Sequence, residues 1–423
     1  MKTTYNQAWQ KLFAELDVQE NLDKSGLFRV SAEQIKSITG KEARIMAKWD
    51  SREARPEILR NSKVTILPTS RSGYVLVQGD GYQDLPEAEV AGFHSPKKIE
   101  SFTTLPWREE LTKESVAIDV AALSSMLKEF TGEEDLALTI RGRSGTSEFS
   151  FNFRGSTKNH QIEVKRAQIE IDAGFEGERV WLVEAKIGEP EDFLVRQLFY
   201  PWRQWKMDTP KEVMPVFLCY ANRAFGLFRY EFRDQDDYHS IQLVEKRWFT
   251  LDRPEAIESL GDLFQTTRQR TPTSSIFPQA DTLGTVVAAV ELYASEATTT
   301  QEVSVRLGFD PRQGDYYTTA AEWVGFVERI GARRRLSAAG KNFVASSRTK
   351  RFKILFQAIA STPIFRDFIR RRLNGEIFGK GEIAEQILAK GYASQTTPNR
   401  RATTVLTWLD WLWREHANLS AVN

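Results

Sequence analysis

Asp172, Glu184 and Lys186 are the residues of this chain whose types and spacing best suit the hydrolysis of a phosphodiester. Carboxylate oxygens are the hard ligands that Mg²⁺ prefers, and a bound Mg²⁺ polarises a phosphate and helps to ionise an attacking water. A lysine beside them can orient that water or stabilise charge that develops on the phosphate. We therefore expect Asp172 and Glu184 to bind Mg²⁺ and Lys186 to assist catalysis. The alternative is an edge hairpin whose charged side chains are simply solvated.

The two segments that carry these residues predict a β-hairpin. Residues 168–172 alternate polar and apolar types with the period of a strand, and residues 180–186 do so at their far end. Residues 173–178 between them are rich in glycine and charge and are predicted to form the turn. Because successive side chains of a strand point to opposite faces, Gln168 and Glu170 share the face of the aspartate. Glu170 is therefore a further candidate contact of the metal or the water.

A strand ending in aspartate, a hairpin and then Glu-x-Lys resembles the core of the PD-(D/E)xK nuclease superfamily, and Asp172, Glu184 and Lys186 match that pattern. Ile171 stands where the family usually has proline. The stretch that begins at Gln197 resembles the glutamine-bearing helix that follows this motif in several restriction enzymes. The resemblance implies that Gln197 holds the lysine or a metal-bound water. A surface glutamine beside an apolar helix stripe would have the same sequence.

Length and composition limit the other possibilities. A chain of 423 residues predicts about two to four domains, and 41% hydrophobic with 27% charged residues is typical of a globular protein. No apolar run approaches the ~20 residues of a membrane span, and the first residues lack the apolar segment of a secretion signal. The single cysteine, Cys219, excludes an internal disulfide and a cysteine-rich zinc site. We expect a cytoplasmic protein without a membrane partner.

The pattern of elements predicts a multidomain α/β and α+β fold. Residues 1–110 are expected to form an N-terminal α+β domain, which either contacts DNA or serves only packing. Residues 111–265 are expected to form the PD-(D/E)xK core, a mixed sheet flanked by helices. There the order helix, strands, hairpin, helix and strand is what the superfamily core requires. Residues 266–280 are polar and turn-prone and are the predicted linker.

The last third of the chain contains two helix-turn-helix patterns. Residues 281–350 resemble a winged-helix domain, and residues 351–423, opening with a helix at about 353–373, resemble a second winged-helix or helix-turn-helix domain. Base edges are usually met near the start of a recognition helix. The candidate DNA-binding residues at those positions are Arg312, Gln313 and Tyr316 in the first domain, and Asn399, Arg400 and Arg401 in the second. Such domains also build plain interaction interfaces.

Residues 329–366 contain ten basic residues and no acidic one, although the whole chain has a net charge of only +1. A charge run is usually a solvated face. One this long and one-sided favours contact with phosphates. Arg334, in the predicted wing, is the candidate phosphate contact that we single out.

Over most of its length the chain resembles type II restriction endonucleases of the PD-(D/E)xK class. The resemblance implies Mg²⁺ as cofactor, double-stranded DNA as substrate, a homodimer acting on a palindromic site, and a possible cognate DNA methyltransferase. Two alternatives stay open. One is a modification-dependent, repair or mobile-element nuclease, and the other is a DNA-binding regulator whose nuclease core no longer cuts.

Overall fold

The structure is a computed structural model of the chain. It describes residues 4–95, 99–105, 107, 111–270, 277–294, 298–307, 311–392 and 398–421, with backbone alone at 305 and 311–313. Among these residues, no helix has both the length and the apolar character needed to cross a membrane.

The first elements of the chain form a small α+β unit. In chain order they are α1 (Tyr5–Glu15), α2 (Val18–Ser25), β1 (Leu27–Ser31), α3 (Ala32–Thr39), α4 (Ala43–Met46), α5 (Glu57–Asn61), β2 (Val64–Pro68) and β3 (Gly73–Gln78). The three strands form an antiparallel sheet of order β1-β3-β2. Helices α1 and α3 each begin with a capping box, centred on Thr4 and Ser31. Trp9 and Leu12 of α1 are fully buried in the core that the helices share with this sheet.

A seven-stranded mixed sheet forms the centre of the molecule. The elements of this region are β4 (Tyr82–Asp84), β5 (Gly92–Phe93), α6 (Glu114–Leu123), α7 (Met126–Thr131), β6 (Ala137–Gly145), β7 (Phe149–Arg154), β8 (Asn159–Val164), β9 (Gln168–Glu176), β10 (Val180–Ile187), β11 (Asp192–Leu194), α8 (Arg196–Asp208), β12 (Val213–Ala221), β13 (Ala224–Phe232) and β14 (Ile241–Thr250). The strand order is β5-β14-β13-β12-β10-β9-β6. Strand β10 is antiparallel to β9 and parallel to β12, and α8 lies on the connection between the two parallel strands.

The predicted hairpin is present, but its turn is shorter than the predicted 173–178. Strand β9 continues to Glu176 and pairs with Val180, so that only residues 177–179 connect the two strands. The sequence predicts Gly174 as part of the turn, but it lies inside β9, because a strand interior accepts a glycine where a neighbouring side chain approaches closely. A Cβ at Gly174 would lie 2.7 Å from the side chain of Ile140 on β6.

Helices α6 and α8 cover opposite faces of the central strands. Trp181, Val183 and Ala185 of β10 pack in one buried cluster with α6, and Val180 and Leu182 pack in another with α8. Strand β12 is buried along its whole length, as a strand covered by helices on both faces must be.

The first unit does not end at residue 110. Strand β4 pairs with β11, and β5 pairs with β14 at the edge of the central sheet. Ile99 and Trp107 are buried in the cluster beneath α6. Short strands of two or three residues carry too little periodicity to reveal this crossing in the sequence. Packing therefore joins residues from about 82 onwards to the central sheet.

The rest of the chain is largely helical. Its elements are α9 (Leu260–Thr266), α10 (Leu283–Leu292), α11 (Thr300–Arg306), α12 (Pro311–Val324), β15 (Val327–Ile330), β16 (Arg333–Leu336), α13 (Ala338–Ala345), α14 (Arg348–Ala360), α15 (Pro363–Leu373), α16 (Lys380–Ala389) and α17 (Pro398–Ser420). Helices α10 to α12 followed by the β15–β16 hairpin match the pattern predicted for residues 281–350. The second unit differs, because the helix expected at 353–373 is divided into α14 and α15 before Pro363, and no hairpin follows within the described parts of 351–423.

The described parts of the predicted linker, 266–270 and 277–280, are packed rather than free. Phe277 is buried and stacks on Phe365, and the guanidinium of Arg270 donates to the carbonyl oxygen of Val324 at 2.7 Å. Helix α9, which precedes them, contributes to the same core as α10 to α17. The sequence predicts a linker here because most of its residues are polar and the few that become buried are too far apart to form a recognisable pattern. Residues 271–276 lie outside the described part of the chain.

Candidate active site

Asp172 and Glu184 lie where β9 and β10 separate. The pairing of the two strands ends at Ala173 and Val183, and the next residue on each strand is the aspartate or the glutamate. The Asp172 Oδ2 atom accepts a hydrogen bond from the backbone N–H of Ala185 at 2.9 Å. The backbone N–H of Ala185 thus holds the carboxylate of Asp172 next to Glu184, at the point where the two strands stop pairing.

Lys186 and Gln197 both contact the buried carboxylate of Glu184, which is 8% exposed. The Lys186 Nζ atom lies 2.7 Å from Glu184 Oε1, and Gln197 Nε2 donates to the same oxygen at 2.5 Å. Gln197 is in the first turn of α8, and that helix packs on the face of β10 to which Glu184 and Lys186 point. The structure therefore brings Gln197 into the cluster, where it holds the glutamate and not the lysine.

Two further carboxylates reach the lysine, and neither was among the predicted site residues. Glu114 Oε1, at the start of α6, lies 3.4 Å from Lys186 Nζ, and Asp50 Oδ2 of the N-terminal unit lies 3.9 Å away. Glu114 could have been noticed as an acid in the first turn of the helix that opens the predicted core. Asp50 closes the charged stretch 41–50, but no spacing in the sequence links that stretch to the hairpin.

Burial and mutual charge shift the ionisation of this cluster. Burial raises the pKa of Glu184 to about 8, nearby Lys186 opposes the shift, and Asp172 and Glu114 add to it. Burial also raises the pKa of Glu114. For Lys186, burial acts to lower the pKa, but the carboxylates of Glu184, Asp50 and Glu114 outweigh it and raise the pKa well above its ordinary value. The lysine is therefore a firmly protonated cation among an excess of carboxylates.

Glu170 does not join this cluster. Its carboxylate is exposed and lies 3.1 Å from a guanidinium nitrogen of Arg143 on the neighbouring strand β6. Gln168 is likewise exposed. The alternation of the strand put both on the face of Asp172, but β10 is no longer paired with β9 at these positions. Strand β10 therefore does not bring Glu184 and Lys186 close to Glu170 or Gln168.

The residues present fit a hard divalent cation. Three carboxylates, those of Asp50, Glu114 and Glu184, lie within 4 Å of one ammonium, and two buried oxygens, Gln197 Oε1 and Asp50 Oδ1, have no hydrogen-bond partner. Asp172 and Glu184 directly follow the last paired residues of β9 and β10, and they would hold the ion. The described residues contain no group of three or more histidine, cysteine, aspartate or glutamate side chains already arranged around a point. In this arrangement the ammonium of Lys186 contacts Glu184 at 2.7 Å.

The two candidate recognition helices contact each other near their starts. The guanidinium of Arg400, at the start of α17, lies 4.5 Å from the ring centre of Tyr316 on α12. Asn399 and Arg400 are exposed, whereas Arg401 is partly buried and its Nε atom has no hydrogen-bond partner. The side chains of the remaining candidates, Arg312 and Gln313, lie outside the described part of the chain.

The basic run 329–366 is not the open cationic face that its sequence predicts. Arg334 is 6% exposed and its guanidinium pairs with Glu322, so the expected phosphate contact lies in the interior of the winged unit. Other members of the run are also paired with acids from elsewhere in the chain. These pairs are Arg348 with Glu415, Arg351 with Glu291, Lys350 with Glu255, Lys353 with Glu258 and Arg335 with Glu328. The one-sidedness of the run is therefore largely compensated once the chain is folded.

Three family models match the chain, and each describes a domain of unknown function. DUF6996 matches residues 6–76, DUF6997 matches residues 77–250 and DUF7226 matches residues 285–417. No curated protein and no solved structure matches the chain significantly. The first two matches meet between Leu76 and Val77, within β3 of the N-terminal sheet. Asp50 thus falls in a different matched segment from the other residues of the cluster.

Proposed function

We propose that this protein is a Mg²⁺-dependent endonuclease that cuts double-stranded DNA at specific sites, with a catalytic core of the PD-(D/E)xK type. The observation that carries the proposal is the convergence of Asp172, Glu184, Lys186 and Gln197 at the point where β9 and β10 separate. Solvated charges on an edge hairpin would not need these contacts. Burial of a glutamate together with a lysine is costly, and such costs are typical of functional sites.

The connectivity around the cluster supports the same proposal. Helix α6 precedes β6, β9 and β10, and then α8 leads to β12, which runs parallel to β10. These four strands are neighbours in the order β12-β10-β9-β6. A helix, three antiparallel strands, a crossover helix and a parallel strand are the elements that the superfamily core requires, and here the β7–β8 hairpin is inserted between the first two of those strands.

The proposed roles follow from the contacts. Asp172 and Glu184 would bind Mg²⁺, which when bound supplies Lewis acidity toward the scissile phosphate and lowers the pKa of water. Lys186 carries a firm positive charge beside Glu184, where it can orient the nucleophilic water or stabilise charge on the phosphate. Gln197 keeps the carboxylate of Glu184 in position through its Nε2 atom, and its unpaired Oε1 atom is free to accept a hydrogen bond from a water molecule.

Target recognition is assigned to the C-terminal helices, whose first unit has the three helices and hairpin of a winged helix. The exposed first turn of α17 carries Asn399 and Arg400, and arginine there lacks the acidic neighbours that a helix start favours. A partner that supplies negative charge, such as DNA, would fit this turn. The Arg400–Tyr316 contact joins the two candidate recognition helices into one surface.

The described residues of the chain hold one such cluster, which suits the cutting of one strand. A homodimer with two-fold symmetry would cut both strands of a palindromic site. In the cytoplasm, a DNA methyltransferase acting on the same site would protect the cell's own DNA from this cleavage. Light scattering of the protein on cleavable DNA is expected to give two chains per site. One chain per site, with both strands cut, would contradict the dimer.

The experiment that tests the proposed activity is digestion of plasmid DNA from methylating and non-methylating hosts, in Mg²⁺ or in EDTA, followed by sequencing of the ends. We expect ends at one short sequence and in Mg²⁺ only. Cutting restricted to modified plasmid would favour a modification-dependent enzyme. Specific binding without cutting in any Mg²⁺ condition would favour a DNA-binding regulator and contradict the nuclease.

A further inference from the structure

The segment around Asp50 is anchored to the central sheet by several contacts. The backbone oxygen of Asp50 accepts the N–H of Leu194 on β11 at 3.1 Å, and the backbone oxygen of Trp49 accepts the hydroxyl of Tyr82 on β4 at 2.9 Å. The guanidinium of Arg52 lies 2.8 Å from Asp80 and 3.2 Å from the buried carboxylate of Asp192. Ties on both sides of residue 50 hold its backbone in one place relative to β11, the strand that follows the catalytic strand β10.

From this anchored backbone, the carboxylate of Asp50 points toward the lysine of the cluster. Its Oδ2 atom lies 3.9 Å from Lys186 Nζ, its side chain is 20% exposed, and its Oδ1 atom is buried without a hydrogen-bond partner. A buried carboxylate oxygen that is left unpaired keeps the desolvation penalty of that group without a compensating hydrogen bond. Packing alone would therefore not favour a carboxylate at Asp50. The fold nevertheless places it beside Lys186, whose side chain is 17% exposed.

We propose that Asp50 of the N-terminal unit is a positioning residue for Lys186, so that the catalytic centre is complete only when residues 6–76 and 77–250 are together. This inference rests on the proposed nuclease function. It assigns a role within that site to a residue that comes from outside the hairpin and its helices.

The physical reason lies in how the lysine is shared among its carboxylates. Glu184 is its nearest partner at 2.7 Å, but Glu184 is also assigned to the metal. A carboxylate that also binds a metal ion attracts a neighbouring ammonium less strongly, because the metal neutralises part of its charge. Asp50 and Glu114 then remain as the partners that keep the ammonium in position toward the reacting phosphate. Their distances of 3.9 and 3.4 Å hold the lysine without immobilising it against one oxygen.

The test uses the full chain and three variants, Asp50→Asn, Asp50→Glu and Glu53→Gln. Asp50→Asn keeps shape and removes the charge, and Asp50→Glu restores the charge on a longer side chain. Glu53→Gln is the matched control, because Glu53 lies three residues further on and pairs with Arg60 at 2.6 Å on the protein surface. For each protein we would measure single-turnover cleavage, Mn²⁺ affinity by calorimetry, and acylation of Lys186 by a small activated ester, quantified by mass spectrometry.

We expect Asp50→Asn to slow cleavage about 10- to 100-fold, as loss of an orienting partner typically does. Its Mn²⁺ affinity should change less than about threefold, a change too small to belong to a lost ligand. Acylation of Lys186 should become faster with Mn²⁺ bound. Asp50→Glu should recover part of the cleavage rate and part of the protection, and Glu53→Gln should match the unmodified protein in all three measurements.

Three results would overturn the inference. Cleavage and acylation at unmodified rates in Asp50→Asn would remove Asp50 from the site. Loss of Mn²⁺ affinity in proportion to cleavage would make Asp50 a metal ligand. Equal losses in Asp50→Glu and Asp50→Asn would reduce its role to packing. Acylation is measured without DNA and is therefore independent of cleavage. If the unmodified chain never cuts DNA, but Lys186 is protected from acylation only when Asp50 is present, the proposed nuclease activity is wrong and the role of Asp50 beside Lys186 is retained.

Discussion

Gln197 on α8 donates a 2.5 Å hydrogen bond to the carboxylate of Glu184 on β10, and so connects the crossover helix to this strand. The same oxygen of Glu184 lies 2.7 Å from the ammonium of Lys186. The amide is almost completely buried, with its Oε1 atom unpaired. Its position determines which way the glutamate faces.

We predict that Gln197→Ala weakens Mn²⁺ binding about 10- to 100-fold, because removing a partner that orients a metal-ligating side chain typically has an effect of that size. Calorimetric titration of Mn²⁺ checks the affinity. Gln204→Ala is the control, since Gln204 lies further along the same helix, is also buried, and contacts Ser147 instead of the cluster. Equal metal affinity in Gln197→Ala and Gln204→Ala would show that the amide does not orient Glu184.

Stability in the absence of metal should depend on pH through Glu184. Burial raises the pKa of Glu184 to about 8 from an ordinary value of 4.5. Between these pH values the folded chain keeps a proton that the unfolded chain has released, so stability falls as pH rises through this window. We predict that thermal unfolding in EDTA shows a smaller fall from pH 5 to pH 8 for Glu184→Gln than for the unmodified protein. Identical slopes would mean that Glu184 is ionised in the folded state throughout.

Arg334→Ala should destabilise the winged unit and not selectively weaken DNA binding. Arg334 and its partner Glu322 are both buried, and removing one partner of a buried pair leaves an uncompensated charge at a cost of about 3–5 kcal/mol. Arg335→Ala is the control, because Arg335 pairs with Glu328 on the surface, where a pair contributes about 0.2–1 kcal/mol. Denaturant unfolding checks both. Full stability of Arg334→Ala together with weaker binding to all DNA would restore the phosphate role.

How far the sequence predicts the site depends on how far apart its residues are in the chain. Strand period predicts that Glu184 and Lys186 share one face of their strand, and Gln197 is expected only from the resemblance of its helix to one found in restriction enzymes. Asp50 and Glu114 could not be found in this way, because they reach Lys186 only through the packing of other elements. Periodicity specifies a face of one element, whereas these contacts depend on how several elements are arranged.

The same reasoning explains the basic run. Sequence separates Arg348 from Glu415 by a long stretch of chain, yet their side chains meet at 2.8 Å in the interior. Arg351 is likewise buried beside Glu291 of α10. A list of charges along the chain contains no information on such pairs. Exposed cations such as Arg400 are therefore better candidates for DNA contact than the run itself.

Arg400→Ala should weaken binding to the cognate site by about 1–3 kcal/mol and relax one base position, because arginine in the major groove pairs with guanine. Binding to scrambled DNA should change much less. Arg414→Ala is the control, since Arg414 lies later on α17 and pairs with Glu87 at 2.7 Å. The measurement is titration of cognate and scrambled duplexes over a range of salt concentrations. Equal losses on both duplexes for Arg400→Ala would move specificity elsewhere, with the N-terminal unit as the next region to test.

The most direct test of the central claim is the cleavage rate of Asp172→Asn beside the unmodified chain, on the same DNA and in Mg²⁺. Asparagine keeps the shape that accepts the N–H of Ala185 and removes the charge assigned to the metal. We predict that the unmodified chain cuts in Mg²⁺ and not in EDTA, and that Asp172→Asn cuts at least about 100-fold more slowly. The variant should bind the same DNA with unchanged affinity. Cleavage by Asp172→Asn at the unmodified rate, or no cleavage by the unmodified chain, would contradict the account.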